Sequence, residues 1–147
     1  MSLEGTWYNE LGSEMTLQIT QTTLCGSSQT VLCGTYQTKV GDASGIYNLV
    51  GAFDTDPSSN GQALGFVVAW VNQQNGSSNS VTCWSGQYQM IDGEEVLTAF
   101  WLLTAETPIS SDWQATLIGK DVFTRNEPPQ EQVARALKSG PASHPLT

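Results

Sequence analysis

The sequence predicts an all-β protein, an eight-stranded antiparallel up-and-down β-barrel, on three observations. Eight strand-like segments follow one another along the 147 residues. The pieces between them are short and hold Gly, Pro, Asn, Asp or Ser, the residues that turns need. No convincing helix interrupts the series. Successive strands with short loops pair as antiparallel neighbours. Eight of them can close into a barrel that removes both edges; a two-sheet sandwich is the other closure.

Residues two apart in a strand share a face, so each segment can be divided into two sides. In the first, 5–11, Trp7, Asn9 and Leu11 alternate with Thr6, Tyr8 and Glu10. "LGS" separates it from the second, 14–24, and "CGSSQ" leads to the third, 31–39, where Tyr36, Thr38 and Val40 align. "VGDASG" precedes the fourth, 45–53, and "DTDPSSNG" the fifth, 63–73, which carries Phe66, Val68 and Trp70 on one face with Asn72 at its end. After "QQNGSS" the sixth, 80–90, aligns Ser80, Thr82 and Trp84. "IDGE" introduces the seventh, 94–104, with Trp101 and Leu103. "AETPISSD" leads into the eighth, 113–125, with Leu117, Gly119, Asp121 and Phe123. Residues 1–125 thus form the barrel domain. The tail 126–147, "NEPPQEQVARALKSGPASHPLT", begins with paired prolines; Gln130 to Lys138 is helix-friendly and is stopped by Gly140 and Pro141. So short a helix is marginal unless it docks on something.

Composition excludes several classes. Lys plus Arg number 5 and Asp plus Glu 14, a net charge of -9. That is the wrong sign for a nucleic-acid partner or an anionic membrane surface. No apolar run reaches the roughly 18 residues of a membrane span. The start, "MSLEGTWYNE", lacks the basic and apolar stretches of a signal peptide, which leaves either a cytoplasmic protein or a secreted one whose leader is gone. A zinc site lacks ligands: no C-x-x-C pair occurs and the sole histidine, His144, sits in the tail. Cys25 and Cys33 flank "GSSQTVL". They either clip a hairpin as a disulfide or stay as two reduced thiols. Cys83 should face away from Trp84.

The faces with bulky apolar groups should point inward. They also carry Asn9, Tyr36, Thr38, Ser80, Thr82 and Asp121. Unpaired, each buried polar group costs about 1–3 kcal/mol. Either they gather at an open mouth and meet water, or, beside four tryptophans, they form a polar and aromatic pocket for one small molecule. Asn9 and Tyr36 can donate to a carbonyl oxygen, Asp121 can accept an N–H, and Trp70, Trp84 and Trp101 offer flat apolar walls. An amide- or urea-like head on an apolar body suits that set. Catalytic equipment is missing. A nucleophile lacks its base because His144 lies outside the barrel, glycoside hydrolysis needs a second facing carboxylate, and no phosphate-cradling loop occurs. A non-catalytic binder without cofactor is expected, with a lipocalin-like carrier of another small apolar ligand as the alternative.

"GTWYNELGS", "GTYQTKVGDA", "LGFVVAW", "WSGQY", "WLLT" and "W-x-A-T-L-x-G-x-D-x-F-T" follow in order from about Gly5 to Thr124. This ordered set resembles the avidin and streptavidin family of biotin-binding proteins, and "LEGTWYNEL" with the "P-x-x-E-Q" tail resembles its fungal members, the tamavidins. The resemblance implies one biotin per barrel. Asn9, Ser13 and Tyr36 match the three donors to the ureido oxygen, and Thr38 and Asp121 the acceptors of the ureido N–H groups. Thr82 matches the hydroxyl near the ring sulfur. Ser80 matches a hydroxyl that binds the valeryl carboxylate, although the 71–80 loop is one residue longer than streptavidin's. Asp42 falls where a loop backbone N–H meets that carboxylate; family members carry Asn or Thr there. Trp70, Trp84 and Trp101 match the pocket walls, and Leu11, Val40 and Leu103 add apolar contact. Trp113, in the seventh-to-eighth connection, matches the residue that covers the biotin of a neighbouring chain in tetrameric members. A homotetramer is therefore implied, with Phe100 and Ile118 adding apolar surface at a second interface and Lys120 close to its symmetry copy. Biotin, biotinylated molecules and a role in vitamin sequestration are likewise what the resemblance implies.

Overall fold

The computed structural model describes residues 2–38, 45–72 and 76–138. Its strands are β1 (Gly5–Tyr8), β2 (Glu14–Leu24), β3 (Ser27–Thr38), β4 (Gly45–Phe53), β5 (Gln62–Asn72), β6 (Gly76–Ile91), β7 (Glu94–Ala105) and β8 (Thr116–Thr124). They close into one barrel in sequence order, each antiparallel to the next, so the sandwich is not adopted. Closure between the first and last strands is narrow, a single register pair, Tyr8 with Thr124. The Glu10 carboxylate extends this seam by accepting the Val122 N–H at 3.1 Å.

The strands differ from expectation at their ends. β1 stops at Tyr8 rather than residue 11, because Asn9–Ser13 fold into a turn. β3 starts at Ser27, since the hairpin turn is only Cys25–Gly26, both with positive φ (50° and 82°). This is the twist that two-residue hairpins favour. A short 3₁₀ helix, Ile109–Gln114, takes up the residues expected to open the eighth strand and carries Trp113. After β8, α1 spans Gln130–Lys138.

The hairpin corrects one sequence reading. Cys25 occupies the turn tip, while Cys33 pairs with Gln18, six residues beyond Ser27 along β3. At about 3.3 Å per residue that separation is roughly 20 Å, against the 4–7 Å Cα spacing that a disulfide requires. Cys25, Cys33 and Cys83 are all free thiols, and Cys83 is exposed on the outer face.

Inside, the barrel has two halves. The half around Trp7 is apolar, packed with Leu3, Met15, Leu17, Leu32, Leu97 and Phe123, all nearly inaccessible. It is closed from below. Trp7 donates its indole N–H to Leu3 O at 2.9 Å, and the Arg125 guanidinium lies 3.7 Å over the Trp7 ring. Arg125 also pairs with Glu95 at 3.0 Å and donates to Ser2 O at 2.6 Å. The fourth of the tryptophans counted near the pocket is thus part of a plug. The other half, at the end where β1 and β3 finish, holds the polar residues.

Candidate functional site

Asn9 begins the β1–β2 turn. Its side-chain oxygen accepts the N–H groups of Leu11 (3.0 Å) and Ser13 (2.9 Å), as short polar side chains do in tight turns. With the oxygen so occupied, the amide nitrogen is aimed the other way, 3.4 Å from the Tyr36 hydroxyl and 3.5 Å from Asp121 Oδ1. Ser13, carried by the same turn, hydrogen-bonds the Tyr36 hydroxyl. Three donors from two parts of the chain, the β1–β2 turn and β3, therefore converge opposite one carboxylate.

Asp121 is placed by β8, opposite Ala99 of β7, whose small side chain leaves space there. Its Oδ2 accepts the Trp84 indole N–H at 2.8 Å. Trp84 stacks on Phe66 (centroids 4.8 Å apart, planes at 19°) and lies 5.1 Å from the Tyr36 ring. Trp70 donates to the Thr82 hydroxyl at 2.8 Å, which leaves the hydroxyl hydrogen free to donate in turn. Tyr47 meets Trp70 edge-on at 5.0 Å. Trp101 faces Trp84 across the β6–β7 ladder and Gly119 across the β7–β8 ladder. Its indole Nε1 is buried without a hydrogen-bond partner. Around Trp70 the β5–β6 register shifts between Ala69 and Val71. Such irregularities re-aim side chains beside sites, and here the Ser78 and Ser80 hydroxyls meet at 2.6 Å.

The open-mouth explanation for these polar groups fails. Asn9, Ser13, Tyr36, Thr38, Ser80, Thr82 and Asp121 are all buried, none above 7% exposed. Leu11 and Leu103 are buried with them. Leu117 is a correction: it shares parity with Asp121 but lies at the strand start and is half exposed. Val40 and Asp42 lie outside the described residues. Trp113 stands apart from this cluster, 80% exposed on its 3₁₀ helix. Tyr47 was missed from sequence, although its alternation with Leu49 in β4 carries the signal. Among the described residues no group of three or more His, Cys, Asp or Glu could hold a metal ion.

Burial decides the electrostatics. It pushes the Asp121 carboxyl up to about 8; the Glu10 charge adds to this, while the Trp84 and Asn9 N–H groups oppose it. Burial also drives the Tyr36 hydroxyl well above its ordinary value, reinforced by Asp121, so Tyr36 remains a neutral donor. An unfolded aspartate titrates near 3.9. Between about pH 4 and 8 the folded, ligand-free protein therefore holds a proton on Asp121 that the unfolded chain lacks. Stability from this group is present at low pH and is lost as pH rises through that window. Wild-type melting, compared with Asp121→Asn, should decline across the same window; parallel profiles would show that Asp121 is ionised before any ligand arrives.

The arrangement can grip one neutral polar head between donors and an acceptor inside an aromatic frame. Comparison with known proteins agrees with such a vessel. The avidin family model matches residues 1–126. The chain is 38% identical over 128 residues to avidin-related protein 4/5 of Gallus gallus, covering 84% of this chain and 77% of that protein. It is 35% identical over 130 residues to avidin of Gallus gallus, with 84% and 78% covered. Fibropellin-1 of Strongylocentrotus purpuratus is 33% identical over 132 residues, which span 85% of this chain but 11% of that longer protein. A family match across the whole barrel, with the two Gallus gallus relatives above 30% identity over most of both chains, places this protein in the avidin family.

Proposed function

We propose that the protein is a non-catalytic, high-affinity biotin-binding protein that takes one biotin per barrel. The observation that carries this is the convergence of Asn9, Ser13 and Tyr36 opposite Asp121, all buried. A ureido group presents one oxygen flanked by two N–H groups. The three donors suit the oxygen, and Asp121 with Thr38 suits the N–H groups. Hydrogen bonds from several fixed donors to an oxygen that gains negative character are among the stronger polar contacts. Trp70, Trp84 and Trp101, with Leu11 and Leu103, supply the apolar frame for the rings and chain. Ser80, on the β6 stretch beside the β5–β6 register shift, would meet the valeryl carboxylate, and a tether on that end would let biotinylated molecules enter the same site. A carrier of purely apolar ligands would leave the buried donors facing hydrocarbon, which disfavours the lipocalin-like alternative.

We propose residues 1–125 as the binding domain, assembled as a homotetramer. Support comes from the outer surface, where Val67, Val81, Phe100, Leu102 and Ile118 are exposed on β5 to β8; apolar side chains grouped on one face mark an interaction surface. Lys120 Nζ sits 5.8 Å from the Phe100 ring in that patch; opposed to its symmetry copy across the interface, its like charge would make that contact salt-sensitive. Slow release from such an assembly would suit sequestration of the vitamin.

Calorimetric titration tests the reading, with a fatty acid as the control ligand. One biotin per chain is expected, and Asp121→Ala should weaken binding by about 1–3 kcal/mol, the range for leaving a buried hydrogen-bonding group without its partner. Flat heat and fluorescence signals with biotin would overturn it.

A further inference from the structure

The turn that carries Asn9 and Ser13 is more deeply covered than a strand connection normally is. Asn9, Leu11, Gly12 and Ser13 are buried and only Glu10 is partly open. The turn is held from within: Gly12 N–H donates to Asn9 O at 3.0 Å, and Asn9 N–H to Ser13 O at 3.1 Å. Gly12 has φ 81°, the left-handed conformation that glycine tolerates. Its bare Cα leaves a face on which another group can sit. That group is Val133: its Cγ2 lies 3.6 Å from where a Gly12 side chain would begin.

Val133 belongs to α1. The helix begins where Gln132 and Val133 N–H groups donate to Pro129 O. Glu131 lies in its first turn, and Arg135 and Lys138 in its last, the charge order that the helix dipole favours. Val133 and Ala136 are half-buried, one turn apart on one side. A nine-residue helix has little stability of its own in water, so contact with the barrel is what keeps it folded. The family match ends at residue 126, so α1 lies beyond the part of the chain that the family model describes.

We propose that α1 is a brace for the binding site: Val133, seated on Gly12, holds the Asn9–Ser13 turn in the shape that aims the Asn9 amide and the Ser13 hydroxyl inward. Val133 is thus a positioning residue that touches no ligand itself. The importance of those two donors rests on the biotin reading; the mechanical claim does not.

The test uses the full chain with Val133→Asp and the conservative Val133→Ile. In the ligand-free protein, amide hydrogen exchange is followed at Leu11, Gly12 and Ser13, whose N–H groups bond within the turn. Val133→Asp should speed exchange at these amides by about tenfold, while the β6 and β7 amides and the barrel's melting stay as in the wild type and Val133→Ile behaves as wild type. Biotin release should also quicken, by about tenfold, the low end of the affinity loss that follows when residues supporting metal ligands are removed. Unchanged exchange at the turn amides in Val133→Asp would overturn the brace, whether or not biotin binds. Faster exchange with unchanged biotin release would overturn its positioning role. A wild-type protein that takes no biotin would refute the ligand reading and leave the exchange result to judge the brace.

Discussion

Trp84→Ala is expected to destabilise the ligand-free barrel by about 3–5 kcal/mol, the usual range for deleting a fully packed large aromatic. Trp84 is 2% exposed, stacks on Phe66, touches Tyr36 and Trp70, and donates to Asp121. Removing it opens a cavity and strips the carboxylate of its nearest donor at once. Thermal unfolding should fall by roughly 10–20 °C. Trp84→Phe separates the two losses. A phenyl ring keeps much of the stack on Phe66 but has no N–H, so the stability loss should be smaller while Asp121 titrates above its present value of about 8. Carboxyl chemical shifts followed against pH check this. An Asp121 that titrates identically in Trp84→Phe would show that the indole hydrogen bond does not set its charge.

Trp113→Ala should do the reverse, leaving the barrel intact and the ligand poorly held. Trp113 is 80% exposed and Ile109, on the same 3₁₀ helix, 97%. Loss of an exposed side chain normally changes folding stability by less than about 0.5 kcal/mol. Two large apolar groups standing in water on a short helix are explained if a neighbouring chain covers them, and an aromatic residue at such a place is a typical hot spot. The helix is anchored at both sides: Ala105 N–H donates to Ala115 O at 2.9 Å, and Glu106 N–H to Asn79 O at 3.0 Å, which ties the connection to the bulged start of β6. If the proposed tetramer brings Trp113 over a neighbour's biotin, Trp113→Ala should raise the release rate by about thirtyfold or more, the equivalent of at least about 2 kcal/mol. Unchanged release, or a monomer by light scattering, would remove this role. The assembly itself should be a closed one with two-fold axes, since identical apolar patches match one another only across such axes.

Strand number, order and inward face were legible in the sequence because a strand's period of two is a local property. Trp7, Tyr36, Trp70, Thr82, Trp84 and Asp121 each announced their side by the spacing of their neighbours, and short turn-rich connections left antiparallel pairing as the simple outcome. The residue types of the site were legible for the same reason, since polar groups on an otherwise apolar face break the pattern visibly. What the sequence could not decide depends on distance along the barrel and on partners far away in the chain. Parity placed Leu117 beside Asp121 but could not say that it stands at the rim. Spacing brought Cys25 and Cys33 within reach on paper, and only the start of β3 at Ser27 put them roughly 20 Å apart. The local pattern gave no sign that Arg125 would cap Trp7, or that Val133 would meet Gly12. Nor did it show that burial would lift the Asp121 carboxyl into the neutral range. Those outcomes required the closed barrel, because closure is what brings residues more than a hundred positions apart into contact and removes the water that would otherwise set their charge.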